Sequence, residues 1–181
     1  QYLNLLRAKQ VDGVLVDGLV LPPDRVARFV RNGLPIVCLD RDVDSASVPL
    51  VQVDNRLGAR LATEHLLALG HRRVAHVTGV GEFVHTVQRA DAFGLITREL
   101  GLEGEIVESD YSAESGALLT RRLLSSPRRP SAILFDSDLL AVTGLGVAQR
   151  MGFVVPDDVS IIGWDDSLIS QVVHPPLTAI T

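Results

Sequence analysis

Short apolar runs alternate along this chain with longer stretches in which apolar positions recur every three or four residues. The first pattern predicts buried strands and the second predicts helices with one face in a core. A helix over 3–9 is followed by a strand at 14–16, bracketed by Gly13 and Gly18. Pro22 and Pro23 open a helix with Val26, Phe29 and Val30 at core spacing, and Gly33 stands at its C-cap position. Strands follow at 34–39, ending in Asp40 and Arg41, and at 50–53, ending in Asp54 and Asn55, with the polar loop 42–49 between them. The clearest helix covers 56–69, with Leu57, Leu61, Ala62, Leu66 and Leu69 on one face. Asp54 or Asn55 caps its start and Gly70 stops it. Further strands are predicted at 74–78, 106–107, 132–135 and 159–162, and helices at 85–100, 113–124, 139–151 and 168–172. Pro127 and Pro130 break the chain after 124, and an extended piece, 177–181, follows Pro175 and Pro176.

Strand and helix alternate over nearly the whole length, the pattern of parallel sheets covered by helices on both faces. Two successive strands, 34–39 and 50–53, break the rule. A chain leaving one sheet for another produces such a break, so a lobe boundary is expected near 53–55. In parallel sheets the residues just past each strand share one edge, where open α/β sheets bind ligands. Here those positions hold Asp40 and Arg41, Asp54 and Asn55, Thr78 and Gly79, Asp110 and Tyr111, Asp136 to Asp138, and Asp165 and Asp166. Carboxylates accept from paired hydroxyls, an arginine donates in a fixed fork, and an aromatic face covers the apolar side of a ring. The set suits a ligand rich in hydroxyls. The competing role for Asp54, Asn55 and Asp138 is helix capping, which is compatible with ligand binding. Desolvated carboxylates need partners, so the cleft is either wet when empty or internally paired.

With 181 residues and 46% hydrophobic composition the chain can bury one large core or two smaller ones. The 22 acidic against 17 basic residues give a net charge of −5, without the basic footprint that nucleic-acid binding requires. The one cysteine, Cys38, lies in an apolar run, so no disulfide forms within the chain and a reducing, cytoplasmic setting is expected. No apolar stretch approaches the ~18–20 residues of a membrane span, and the opening residues do not read as a signal peptide. His71 and His76 are read as a loop and a strand residue. No metal site or cofactor is expected, since no His, Cys or acidic pair has zinc spacing.

The segments VDNRLGARLATEHLLALGHRRVAHVTG (53–79), Arg89 to Phe93, VPDDVSIIGWDD (155–166) and PPLTAIT (175–181) resemble the LacI/GalR family of bacterial transcriptional repressors, in order and spacing along effectively the whole chain. The resemblance implies an α/β fold of two Rossmann-like lobes with parallel sheets, as in periplasmic binding proteins. Residues 1–53 would form part of the N-terminal lobe, itself incomplete, 54–178 the C-terminal lobe, and 179–181 the start of a second crossover. It implies a homodimer that binds a small effector between the lobes, more often a sugar or related polyol than a nucleobase. Operator DNA would be read by a helix-turn-helix domain absent from this chain. Carried over by position, Arg89 resembles the arginine that hydrogen-bonds the effector. Tyr111, in SDYSAESG, occupies the place of an aromatic that stacks on it, and Asp165 matches the effector-contacting aspartate. Ser137, in FDSDLLA, stands where Asn is common, while Asp40 and His85 lie at positions that line the pocket in some members. Ala92 replaces the Gly usual before the aromatic of the Arg89 segment.

Two other classes compete. The strand-terminal D-x-D of ILFDSDLL matches haloacid-dehalogenase-type phosphotransferases, with Asp136 as nucleophile and Asp138 as acid/base. That chemistry normally needs a lysine for the phosphoryl group, and the chain's one lysine, Lys9, lies in the opening helix. Gly79-Val80-Gly81 starts a dinucleotide fingerprint, but Val84 stands at the third glycine. The chain is therefore not expected to be an enzyme. An exported sugar-binding protein shares the fold and is the alternative to a cytoplasmic repressor.

Overall fold

The computed structural model describes residues 12–17, 30, 31, 33, 35–40 and 48–180. The chain divides into two compact units, Gln1–Val53 and Asp54–Thr181. The helix expected at 3–9, most of the one after Pro22 and Pro23, and most of the 42–49 loop lie outside the described residues.

In the first unit β1 (Val14–Asp17), β2 (Ile36–Leu39) and β3 (Leu50–Val51) form a parallel sheet in that order. Val16, Ile36, Cys38 and Val48 are buried together beside it. The two successive strands belong to one sheet: β3 pairs with β2, Cys38 opposite Leu50 and Leu39 opposite Val51, and the units divide after them, at Val53 and Asp54.

The second unit runs α1 (Asn55–Ala68), β4 (Arg73–Thr78), α2 (Val84–Glu99), β5 (Glu103–Glu108), α3 (Ala113–Leu124), β6 (Ala132–Phe135), α4 (Asp138–Arg150), β7 (Ser160–Ile162) and α5 (Leu168–Val172). Its parallel sheet has the order β5-β4-β6-β7. Alternation along the central strands feeds two cores. Ala75, Val77, Ile133 and Phe135 face Leu119, Leu123, Leu140 and Leu145 of α3 and α4. Val74, Ala132 and Leu134 face Ala59, Ala62 and Leu66 of α1 and Phe93 and Ile96 of α2.

Three of the helices start on side-chain caps that occupy otherwise unpaired N–H groups. Asp54 accepts from Leu57 N at 2.9 Å, Ser112 from Ser115 N at 3.0 Å, and Ser137 from Leu140 N at 3.3 Å. Asp54, not Asn55, is thus the cap of α1, which leaves the Asn55 side chain available elsewhere. The expected strand at 106–107 is longer, Glu103–Glu108, and mostly exposed. It is an edge strand whose glutamates conceal it from an apolar count. Backbone pairing to β4 defines it, and Glu103 holds Arg73 at 2.8 Å and Arg128 at 2.7 Å. After α5 the chain returns to the sheet: Thr178 bridges Ile162, and Gly163 N donates to Thr178 O at 2.8 Å.

Candidate functional site

Because β4, β5, β6 and β7 are all parallel, their carboxyl ends bring Gly79, Ser109 to Tyr111, Asp136 to Asp138 and Gly163 to Asp166 to one edge of the second unit. α2 supplies His85, Thr86 and Arg89.

Arg89 is 8% exposed. Its Nε donates to Asn55 Oδ1 at 2.8 Å and its Nη1 to the Asp136 carbonyl at 2.9 Å, while Nη1 lies 3.7 Å from the Asp136 carboxylate. The guanidinium carbon lies over the Trp164 ring, 3.8 Å from its centroid. Stacking on an indole face and a fork of directed hydrogen bonds fix its plane. Asn55 Nδ2 in turn donates to Gln88 Oε1 at 3.1 Å.

Tyr111 leaves β5 with φ of 65°, in the left-handed region. That turn lays its ring over Gly79, where a Cβ would land inside the ring. Its hydroxyl is paired with His85 Nε2 at 3.0 Å and Thr86 Oγ1 at 2.9 Å, and Phe83 stacks on the ring at 5.9 Å. Burial raises the Tyr111 phenol above its ordinary value, against the hydrogen bond it shares with Thr86. The charges of Asp136, Arg89 and Asp165 also reach it, which puts the four groups in one electrostatic neighbourhood.

Asp165 is exposed. Desolvation, then the negative charge of Asp138, pushes its carboxyl up, and Arg89 only partly offsets this. Its position is set from below by Asp138, whose Oδ1 accepts from Trp164 N at 3.1 Å and Asp165 N at 3.2 Å. The Oδ2 of Asp138 accepts from the N and Oγ of Ser167, both at 2.6 Å. Burial by itself would raise Asp138. The bonds from Ser167, Asp165 and Trp164 outweigh it and hold the carboxyl below its ordinary range. Gly163 allows the close approach: a Cβ there would stand 2.5 Å from Asp138 Oδ1.

Of the residues singled out from the sequence, the second unit thus gathers Arg89, Tyr111, His85 and Asp165. Ser137, also at this edge, caps α4 with its hydroxyl. Asp40 belongs to the first unit, where it follows β2 with φ of 42° and its Oδ1 accepts from Val53 N at 3.0 Å. Sequence reasoning did not find the roles of Asn55, Trp164 and the buried pair of His76 Nε2 and Asp136 Oδ1, 2.8 Å apart. A histidine in an otherwise apolar strand was the available signal for the last. Asp136 and Asp138 are 2% and 3% exposed and saturated by internal partners, so neither stands as a nucleophile or metal ligand facing solvent. Among the described residues no three His, Cys, Asp or Glu side chains form a metal-holding group, and no helix is long and apolar enough to cross a membrane.

The fold and the strand-end cluster define a doubly covered parallel α/β lobe of the ligand-binding kind. Residues 63–181 match the model of the periplasmic binding protein-like domain, and the chain belongs to that family. It is 33% identical over 180 residues to the ribose operon repressor of Halalkalibacterium halodurans and 32% identical over 182 residues to the HTH-type transcriptional repressor CytR of Escherichia coli. Each alignment covers 99% of this chain and 53% of the relative, so the chain spans about half the length of the curated relatives it matches. The crystal structure of a LacI family transcriptional regulator from Bifidobacterium animalis subsp. lactis superposes with a TM-score of 0.90 at 35% identity, covering 98% of this chain and 66% of that one. A CelR transcriptional regulator solved as its cellobiose complex gives a TM-score of 0.85 at 31% identity, covering 97% and 55%.

Proposed function

We propose that this chain is the effector-binding core of a cytoplasmic, LacI-type transcriptional repressor that takes a sugar or related polyol. The observation that carries the reading is the convergence of Arg89, Tyr111, His85 and Asp165 on one strand-end edge. A fixed guanidinium fork, an immobilised aromatic face and an exposed carboxylate are the groups that hold a hydroxylated ring. The cellobiose bound by the CelR relative favours this ligand class. Residues 1–53 and 54–178 serve as the two lobes, with Asp40 and Ser137 as further lining groups. Operator DNA is read by a helix-turn-helix domain outside these residues. Effector binding favours one lobe arrangement, and repression changes because the ligand's affinity differs between the two states.

The active species is a homodimer. α3, α4 and α5 pack in sequence and leave Leu118, Leu139, Leu168, Ile169 and Val172 exposed, with Leu168 at 74% and Val172 at 70%. Exposed aliphatic side chains on three helices packed in sequence suit a second copy of the chain.

A thermal-shift screen of monosaccharides, disaccharides, polyols and purines on the whole regulator identifies the effector, and calorimetry then tests the site. Arg89→Met keeps an apolar stem on Trp164 and removes the donors. It should weaken effector binding by about 1.5–3 kcal/mol, the worth of hydrogen bonds from a charged group. Unchanged affinity in folded Arg89→Met refutes the site.

A further inference from the structure

Beneath Arg89 lies a buried pair that effector contact does not explain. The Asp136 and His76 side chains have no solvent exposure. His76 Nε2 donates to Asp136 Oδ1 at 2.8 Å, and Gly79 N donates to Oδ2 at 3.1 Å. His76 Nδ1 is buried with no hydrogen-bond partner, and Phe93 packs against the ring at 5.0 Å. A ring with its proton on Nε2 satisfies its one donor and leaves a bare lone pair at Nδ1. Asp136 thus accepts from both His76 and the Gly79 amide, and its carboxylate lies 3.7 Å from Arg89 Nη1. Beside Arg89 the same strand-end edge also carries the carboxylates of Asp138 and Asp165, Asp138 accepting from the Asp165 amide at 3.2 Å.

We infer that His76 and Asp136 form a positioning dyad that orients and neutralises Arg89, so that this edge takes uncharged hydroxylated effectors and rejects phosphorylated or carboxylated ones. The inference deepens the proposed effector site and rests on it. A neutralised guanidinium still directs hydrogen bonds, so it can fix a hydroxyl. An anion, however, meets the carboxylates without a compensating net positive charge, and rejection by like charge is a way to specificity. Asp136 also holds Gly79 N, the backbone seat of the Tyr111 ring, so one carboxylate registers both the fork and the aromatic face.

Inorganic phosphate is the probe, titrated by calorimetry into the whole regulator. The wild-type protein should show no phosphate binding that depends on Arg89. Asp136→Asn, which keeps the side-chain shape and removes the charge, should bind phosphate at least about tenfold more tightly, a step of about 1.4 kcal/mol. The gain should vanish in Asp136→Asn/Arg89→Met. His76→Leu/Asp136→Val, which replaces both polar partners with apolar ones, should show the same gain and guards against misfolding of the single variant. A loosened fold would not create anion affinity, so the gain separates charge tuning from support. Wild-type phosphate binding lost in Arg89→Met overturns the inference, as does no gain in a folded variant or a gain that survives Arg89→Met. These arms read the net charge at Arg89 alone; the effector site itself fails separately, through unchanged polyol affinity in Arg89→Met.

Discussion

Asp138→Asn is the most searching single perturbation of the focal loop. The carboxylate is the first residue of α4 and accepts four hydrogen bonds, two of them at 2.6 Å. Asparagine keeps one acceptor oxygen. It can serve either the Trp164 and Asp165 amides or Ser167, and its NH2 then faces donors on the other side. At about 1.5–3 kcal/mol for each hydrogen bond to a charged group, two lost bonds would cost about 3–6 kcal/mol. Asp165 and Ser167 are exposed, so water recovers part of this. A net loss of about 2–3 kcal/mol remains, a fall in melting temperature of roughly 10 °C for a unit of this size. The pH dependence supplies a second check. The folded carboxyl is held below its ordinary value of 3.8, so its stabilisation is complete above that pH and disappears as pH falls through the lower folded value. Thermal melts of both proteins from neutral to acid pH should show a gap that closes only in strong acid. A gap under about 2 °C at neutral pH, or one that persists undiminished into strong acid, would refute the assignment of Asp138 as the anchor of the 163–167 loop.

The remaining predictions concern single groups. Asp165→Asn should weaken effector binding while leaving the melting temperature at neutral pH equal or higher. The folded carboxyl titrates above its ordinary value, so its charge opposes folding above that pH, and a cooperative loss of structure would show that Asp165 is structural. His71, paired with Ser131 Oγ at 2.8 Å and Ser160 Oγ at 3.1 Å, is lowered from 6.5 by burial and then by His65. Its neutral form is the stabilising one, so stability should be full above pH 6.5 and decline as pH drops below it; His71→Gln should flatten that slope in urea titrations at successive pH values. Leu168→Glu with Val172→Glu should shift the whole regulator from dimer to monomer in sedimentation, each buried aliphatic contributing about 1.5–3 kcal/mol to the interface. An unchanged dimer would place the interface elsewhere.

The sequence by itself determined the secondary elements and the class of fold, because each depends on local chemistry. Leucines at helical spacing in 56–69, a serine or aspartate before each capped helix, and short apolar runs at 74–77, broken only by His76, and at 132–135 carry their own instructions. It also placed Tyr111 and Asp165 beside strand ends, while Arg89 was singled out by resemblance within a helix. It did not reveal β5 in full, since an edge strand of glutamates is stabilised by backbone pairing to β4 rather than by burial. The pairing of β3 with β2 likewise depends on register between segments, which no local pattern encodes. Only the tertiary structure decided which carboxylates face outward. Asp136, Asp138 and Asp165 look alike in sequence, each following a strand. Packing delivers His76 and Arg89 to the first and the 164–167 amides to the second, and leaves the third exposed. Whether an acid is an anchor or a ligand contact depends on which donors reach it, and those donors come from strands and helices distant along the chain.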